Sequence, residues 1–197
     1  MKIGIEVNGV LRDTLKKIQE VYEKWYLENP FIEEEQKSGR EIMSEVTTLN
    51  IMEHLKFVDK DELYNFLYKE YTMEIFGHAG SMEMSTMIDL NEFYVDMRDT
   101  HEIWIVSDEI SKSKPATLFF LSKFGCLVEN IKFYSEVTID SMWDTIDVLV
   151  TANPNLLSNY PANKTLIKYK TSYNSDINAK VEISSIKELK TKIQEIC

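Results

Sequence analysis

Met1-Lys2-Ile3-Gly4-Ile5-Glu6-Val7-Asn8-Gly9-Val10-Leu11-Arg12-Asp13-Thr14 opens the chain, and its reading decides the fold. Residues 2–7 are mostly apolar and alternate little, which fits a strand buried on both faces. Asn8-Gly9 then makes a polar, glycine-containing loop. Leu15, Ile18, Val21, Tyr22, Trp25 and Tyr26 recur at helical spacing and predict an amphipathic helix over 14–27. A strand that turns through such a loop into a helix is where α/β proteins place phosphate-binding and nucleophilic groups.

The pattern continues outward from that turn. Asn29-Pro30 should end the helix, and Glu33-Glu34-Glu35-Gln36-Lys37-Ser38-Gly39-Arg40 reads as a polar connection. Residues 41–98 show repeated helical periodicity, with Leu63, Phe66, Leu67 and Tyr71 on one stripe and Leu90, Phe93, Tyr94 and Met97 on another. Gly77-His78-Ala79-Gly80 marks a turn between them, and Asp59-Lys60-Asp61-Glu62 suits a helix N-terminus. Strand patterns follow at 102–106, 131–134, 147–150 and 165–169. Pro115 can sit in a helix's first turn, Gly125 can stop that helix, and Ser185-Ile186-Lys187-Glu188 is a capping box for the last helix. Strands alternating with helices argue for an α/β fold with a mainly parallel sheet and helices on both faces. The expected organisation is a core of residues 1–14 and 99–197, interrupted by a mostly helical insert at 15–98.

Composition narrows the function. A chain of 197 residues can hold one domain with a sizeable core, or one domain with a smaller insert. A net charge of −11 disfavours a nucleic-acid surface, and any phosphate site would need local positive groups. Cys126 and Cys197 offer no metal or disulfide spacing, which suits a reducing compartment. His54, His78 and His101 are scattered, so no metal site is expected from them. No apolar run reaches the length of a membrane span, and Glu6 and Asn8 interrupt any signal-peptide core. The expected location is cytoplasmic, or within an intracellularly assembled particle, with no nucleic-acid and no membrane partner. The methionines at 73, 82, 84 and 87 cluster in the insert, as core filler or as an adaptable partner-binding face.

The ordered motifs resemble the haloacid dehalogenase-like (HAD-like) superfamily over essentially the whole chain. The first family motif, Asp-x-Asp-Gly-Val-Leu-x-Asp, aligns with Glu6-Val7-Asn8-Gly9-Val10-Leu11-Arg12-Asp13. The second, an apolar strand ending in Ser or Thr, aligns with Ile103-Trp104-Ile105-Val106-Ser107. The fourth, Asp-Val-Leu-Ile-Asp-Asp-x-Pro in the 5'(3')-deoxyribonucleotidase branch and its small phage-type relatives, aligns with Asp147-Val148-Leu149-Val150-Thr151-Ala152-Asn153-Pro154. Tyr173-Asn174 resembles a pair near the end of those nucleotidases. The resemblance implies a Rossmannoid core with a helical cap inserted after the first strand.

It also implies a chemistry whose groups have been replaced. The family's nucleophilic Asp forms an aspartyl phosphate, its second Asp handles the leaving-group proton, and Mg²⁺ is held partly by motif-four carboxylates. Here Glu6 stands for the nucleophile with one more methylene, Asn8 for the acid/base, and Thr151 and Ala152 for the metal carboxylates. The family Lys has no clear counterpart. Lys112 and Lys114 follow motif two, while Tyr134-Ser135-Glu136-Val137 occupies the stretch where the branch carries its Lys. No catalytic residue is therefore expected intact, and no cofactor, with Mg²⁺ entering only if the chain is an enzyme. Glu6, Asn8, Gly9, Ser107 and Asp108 are the candidate ligand-binding residues; Glu6 and Asn8 either line a pocket or are retained loop residues, and Ser107 either meets an anion or caps the next turn. Asp13 should serve local structure, with Thr14 capping the helix. The expected function is a catalytically inactive pseudo-phosphatase that binds a protein assembly, a homo-oligomeric partner or a phosphate-type small molecule. The alternatives are a divergent Mg²⁺-dependent nucleotide phosphatase and a structural subunit of a phage particle.

Overall fold

The computed structural model describes residues 1–28 and 48–196. The expected helix end at Asn29-Pro30, the polar connection at 33–40, the start of the helical region at 41 and Cys197 lie outside the described residues. Six strands, β1 (Lys2–Glu6), β2 (Glu102–Asp108), β3 (Asn130–Tyr134), β4 (Val148–Thr151), β5 (Thr165–Tyr169) and β6 (Glu182–Ile183), form one parallel sheet in the order β3-β2-β1-β4-β5-β6. The described helices are α1 (Thr14–Glu28), α2 (Ile51–His54), α3 (Lys60–Asn65), α4 (Thr86–Met97), α5 (Ser113–Lys123), α6 (Ile139–Trp143), α7 (Pro154–Ser158) and α8 (Leu189–Ile196). Two single π-helical turns, Phe66–Glu70 and Met73–Gly77, follow α3.

The central strands β1, β2, β4 and β5 are buried on both faces because they carry successive apolar or small residues. Side chains two apart share a face. Ile3 and Ile5 therefore join Ile103, Ile105, Val148, Val150 and Ile167 on one face, against Leu90 and Phe93 of α4, Phe120 of α5 and Leu189 and Ile193 of α8. Val106, Leu149 and Leu166 point the other way, onto Met142 and Trp143 of α6 and Leu156 and Leu157 of α7. Glu6 is two residues from Gly4 and four from Lys2, so its side chain belongs to this second face.

The helical insert after β1 carries its own cluster. Ile18, Val21 and Tyr22 of α1 meet Leu55, Phe57, Phe66, Leu67, Ile75 and Phe76. Tyr22, Phe57 and Phe66 pack with ring centroids 5.1–6.1 Å apart. Within the expected 15–98 insert, residues up to Phe76 build this cluster together with Ala116 of α5, whereas Met87, Leu90, Phe93 and Met97 of α4 belong to the sheet's core. The methionines divide the same way: Met87 is buried, Met82 is partly buried, and Met73 and Met84 are exposed.

Local signals behave as their chemistry requires, with one correction. Asp59 accepts from Glu62 N at 2.8 Å, and Ser185 with Glu188 closes a capping box. Gly125 follows α5 with a φ of 67°, the left-handed helix stop that favours glycine. At α1, however, Asp13 is the cap, accepting from Lys16 N at 3.4 Å. Thr14 is the first helical residue, and its hydroxyl turns back to Asn8.

Candidate functional site

β1 runs up the middle of the sheet, where the strand order reverses direction, so its carboxyl end opens onto the crevice that α/β sheets use for ligands. Register brings the site together. Glu6 lies beside Val106, Ile5 beside Val150, and Asp108 beside Tyr134. Glu6, Asp108, Tyr134 and Thr151 thus sit at the same end of four adjacent strands.

Glu6 is 1% exposed and both its oxygens are engaged. Tyr134 Oη donates to Oε1 at 2.5 Å, and Thr151 Oγ1 donates to Oε2. Thr151 Oγ1 in turn accepts from Asn153 N at 2.9 Å, which fixes its rotamer. Burial raises the Glu6 carboxyl to about 7, although the two hydroxyls favour its charged form and Asp108 opposes it. Burial, followed by the charge and hydrogen bond of Glu6, drives the Tyr134 phenol far above its ordinary value.

Asn8 belongs to a second buried network, built around Arg12. Arg12 is fully buried and donates from Nη2 to Asn8 Oδ1 at 2.7 Å and to Glu109 Oε1 at 2.5 Å. Its Nη1 donates to Phe76 O and to Thr117 Oγ1, both at 2.7 Å, and its Nε to Thr14 Oγ1 at 3.0 Å. The guanidinium also lies over the rings of Phe76 and Phe120, 5.2 and 5.4 Å from their centroids. One side chain therefore ties the loop after β1 to the segment after β2, to α5 and to the backbone of the insert. The orientation of the Asn8 amide follows from its partners: an oxygen that accepts from both Arg12 and the Thr14 hydroxyl cannot be the NH₂.

Between this loop and the insert lies a cavity of about 230 Å³. Glu6, Asn8, Asp13 and Asp108 supply its polar lining, and Tyr68, Phe76 and Tyr173 its aromatic walls. Asp108 is raised to about 6 by partial burial and by the neighbouring carboxylates of Glu109 and Glu136. Gly9 also lines the cavity, with a φ of 75° and its Cα hard against Tyr173: a Cβ there would fall 2.1 Å from the phenol oxygen.

The structure thus brings Glu6, Asn8, Gly9 and Asp108 of the candidate residues to one cavity. Ser107 does not line it: it is fully buried, with its hydroxyl donating to the Glu109 carboxylate at 3.2 Å. Thr151 supports Glu6 from below, and Ala152 is buried with its carbonyl accepting from Asn174 Nδ2 at 2.9 Å. The Tyr173-Asn174 pair divides its work, Asn174 holding backbone and Tyr173 closing over Gly9. Lys112 and Lys114 are exposed, and Lys114 lies over the Phe133 ring, so neither lines the cavity. Nothing in the sequence alone marks Arg12, Glu109, Thr117 or Tyr68 as site residues. Arg12 stands out only as a cation directly after the apolar Val10-Leu11.

The Mg²⁺ that the resemblance brings with it does not fit this donor set. Such an ion needs several oxygen ligands in near-octahedral array. Glu6 is 1% exposed with a hydroxyl bonded to each oxygen, Asn8 Oδ1 is shared by Arg12 and Thr14, and positions 151 and 152 present a hydroxyl and a methyl group instead of carboxylates. Among the described residues, no three His, Cys, Asp or Glu side chains converge to hold a metal ion.

No family model matches the chain, and no curated protein matches it in sequence. Solved structures do. A haloacid dehalogenase-like family hydrolase of Streptococcus pneumoniae superposes with a TM-score of 0.65 at 11% identity, over 98% of each chain. A predicted phosphatase of Clostridium acetobutylicum gives 0.64 at 15%, again over 98% of each. CbbY of Rhodobacter sphaeroides, solved in complex with phosphate, gives 0.58 at 12% over 95% of each. At such identities the likeness carries the fold: a haloacid dehalogenase-like sheet with a helical cap inserted after the first strand. It does not single out the deoxyribonucleotidase branch or phage-type relatives.

Proposed function

We propose that this chain is a non-catalytic protein on the haloacid dehalogenase-like fold, and that it acts by binding a small molecule in the cavity between the end of β1 and the helical insert. The observation that carries this reading is the state of Glu6. A nucleophile must present a lone pair to the incoming phosphorus. Here each carboxyl oxygen already holds a hydrogen bond, from Tyr134 or Thr151, and the group is 1% exposed in a site where burial raises it to about 7, so it is held as a buried acceptor rather than presented for attack.

Asn8 supports the same reading. An amide exchanges no proton at neutral pH, and general acid–base catalysis is typically worth ~10²–10⁴-fold. Its oxygen is also committed to Arg12 and Thr14, which makes it part of the loop's scaffold. What persists at the strand ends is a formed concave site without the reactive pair.

The test is turnover of nucleoside monophosphates and a generic aryl phosphate, with and without Mg²⁺, by the wild type beside Glu6→Gln. The expected result is no hydrolysis above the variant under either condition. Mg²⁺-dependent turnover that Glu6→Gln abolishes would overturn the reading in favour of a divergent phosphatase.

A further inference from the structure

We infer that the cavity selects a small organic cation, an amine carried on an apolar group, rather than a phosphate. The inference rests on the binding role proposed above and names the chemistry of its ligand. Three carboxyl side chains line the cavity, those of Glu6, Asp13 and Asp108, and no Lys, Arg or His lines it among the described residues. The nearest buried cation is Arg12, and its guanidinium is spent on Glu109, Asn8, Thr14, Thr117 and the Phe76 carbonyl. A phosphate entering here would meet carboxylates with no compensating charge, whereas a net charge of −11 draws cations toward the site from a distance.

The walls add the second half of the recognition. Phe76 already lies under the Arg12 guanidinium, so the aromatic walls for a ligand are Tyr68, stacked on Phe76 with centroids 5.6 Å apart and planes 12° apart, and Tyr173, which faces the loop at Gly9. Aromatic faces next to carboxylates are the recurring way to hold an ammonium group, because the negative ring face and the anion act on the same charge. Leu15, Ile18, Leu67 and Met82 complete the lining and suit an apolar body. The volume of about 230 Å³ is below the ~300 Å³ at which sites for drug-sized ligands begin, so the ligand is small. Asp108 is the acid placed to make the charge contact. It is exposed at the rim and forms no ion pair among the described residues, while Asp13 is already occupied as the α1 cap.

The experiment is calorimetric titration of the full chain with benzylamine, benzyl alcohol, benzyl phosphate and inorganic phosphate, at neutral pH and low salt. These probes share a body and differ in charge. Benzylamine should bind, with benzyl alcohol weaker by about tenfold or more, the scale of one charge-assisted contact, and with neither phosphate detectable. Asp108→Asn should weaken benzylamine by about tenfold, and Glu129→Gln, the same charge change at an exposed site outside the cavity, by less than about twofold. If Asp108→Asn does not fold, Asp108→Ser, which also removes the charge, replaces it, with the same loss expected. Phosphate binding equal to or tighter than benzylamine overturns the inference. So does a benzylamine affinity indifferent to the cavity acids, or no binding by any probe. Each of those outcomes leaves the non-catalytic reading to the turnover assay, which is independent of them.

Discussion

The Tyr134 hydroxyl donates to Glu6 Oε1 across 2.5 Å, joining residues on β3 and β1 that are separated by the whole width of β2. The contact runs over the carboxyl ends of the strands. A phenol there cannot neutralise a phosphate, but it can satisfy a buried carboxyl. Tyr134→Phe removes the donor and leaves Glu6 Oε1 buried without one, which should cost about 1–3 kcal/mol. Urea unfolding at pH 6 and pH 8 checks it. The loss should be larger at pH 8, where the unprotonated carboxylate most needs the donor; equal midpoints for both proteins at both pH values would mean the bond contributes nothing.

Glu6 should also make the protein less stable as pH rises. Its carboxyl is raised from 4.5 to about 7, so between those values the folded chain holds a proton that the unfolded chain has released. Stability is then lost through that interval, by about 3 kcal/mol between its limits, and the penalty persists above it. Glu6→Gln cannot titrate and should flatten this part of the profile. The check is denaturant unfolding of both proteins at pH 5, 6, 7 and 8, read as the difference between them, which cancels the other carboxylates. A difference constant across pH would overturn the raised value.

Arg12 and Glu109 should behave as a unit. Both are buried, and Glu109 Oε1 also accepts from Thr117 Oγ1 at 2.8 Å and from Ser107. Arg12→Met leaves the Glu109 charge uncompensated, a change that typically costs ~3–5 kcal/mol. Arg12→Met with Glu109→Leu removes both charges, and the double variant should be more stable than Arg12→Met alone. The cycle is read by denaturant unfolding, with a coupling of about 1–3 kcal/mol expected. Strict additivity would show that the pair acts as two independent groups.

The parallel sheet and its cap were legible because burial on both faces leaves long apolar runs such as Ile103-Trp104-Ile105-Val106, and because cap residues such as Asp59 and Ser185 act locally. What was not legible is what depends on distant partners. Strand β6 is two residues long and exists because Lys168 and Tyr169 pair with it, too short for any periodicity to register. The assignment of the α1 cap to Thr14 failed because the Thr14 hydroxyl has a better partner in Asn8, six residues back across the loop. Nothing local in the sequence gives Arg12 a role until Glu109, 97 residues later, is seen beside it. That Glu6 and Asn8 stand at the end of the first strand was visible; that Tyr134 and Thr151 bond Glu6, and Arg12 and Thr14 bond Asn8, was not.

Gly9 and Tyr173 give the sharpest test of how the loop is held. Gly9 combines a φ of 75° with a Cβ position 2.1 Å from the Tyr173 hydroxyl and 3.1 Å from the Ala152 side chain. Gly9→Ala therefore meets two separate costs. The left-handed backbone carries about 1–2 kcal/mol for any residue with a Cβ, and the clash must push the Tyr173 ring off the loop. Tyr173→Phe removes the clashing oxygen but leaves the ring in place, since the ring carbon that bears it is 3.5 Å from the same point. The double variant should recover the steric part and retain the backbone part. By thermal unfolding, Gly9→Ala should be the least stable of the four proteins, Tyr173→Phe close to wild type, and the double variant between them. If Gly9→Ala matches wild type, the loop is free to rearrange and the cavity wall at Tyr173 is not fixed by it; if the double variant is no better than Gly9→Ala, the cost lies in the backbone alone.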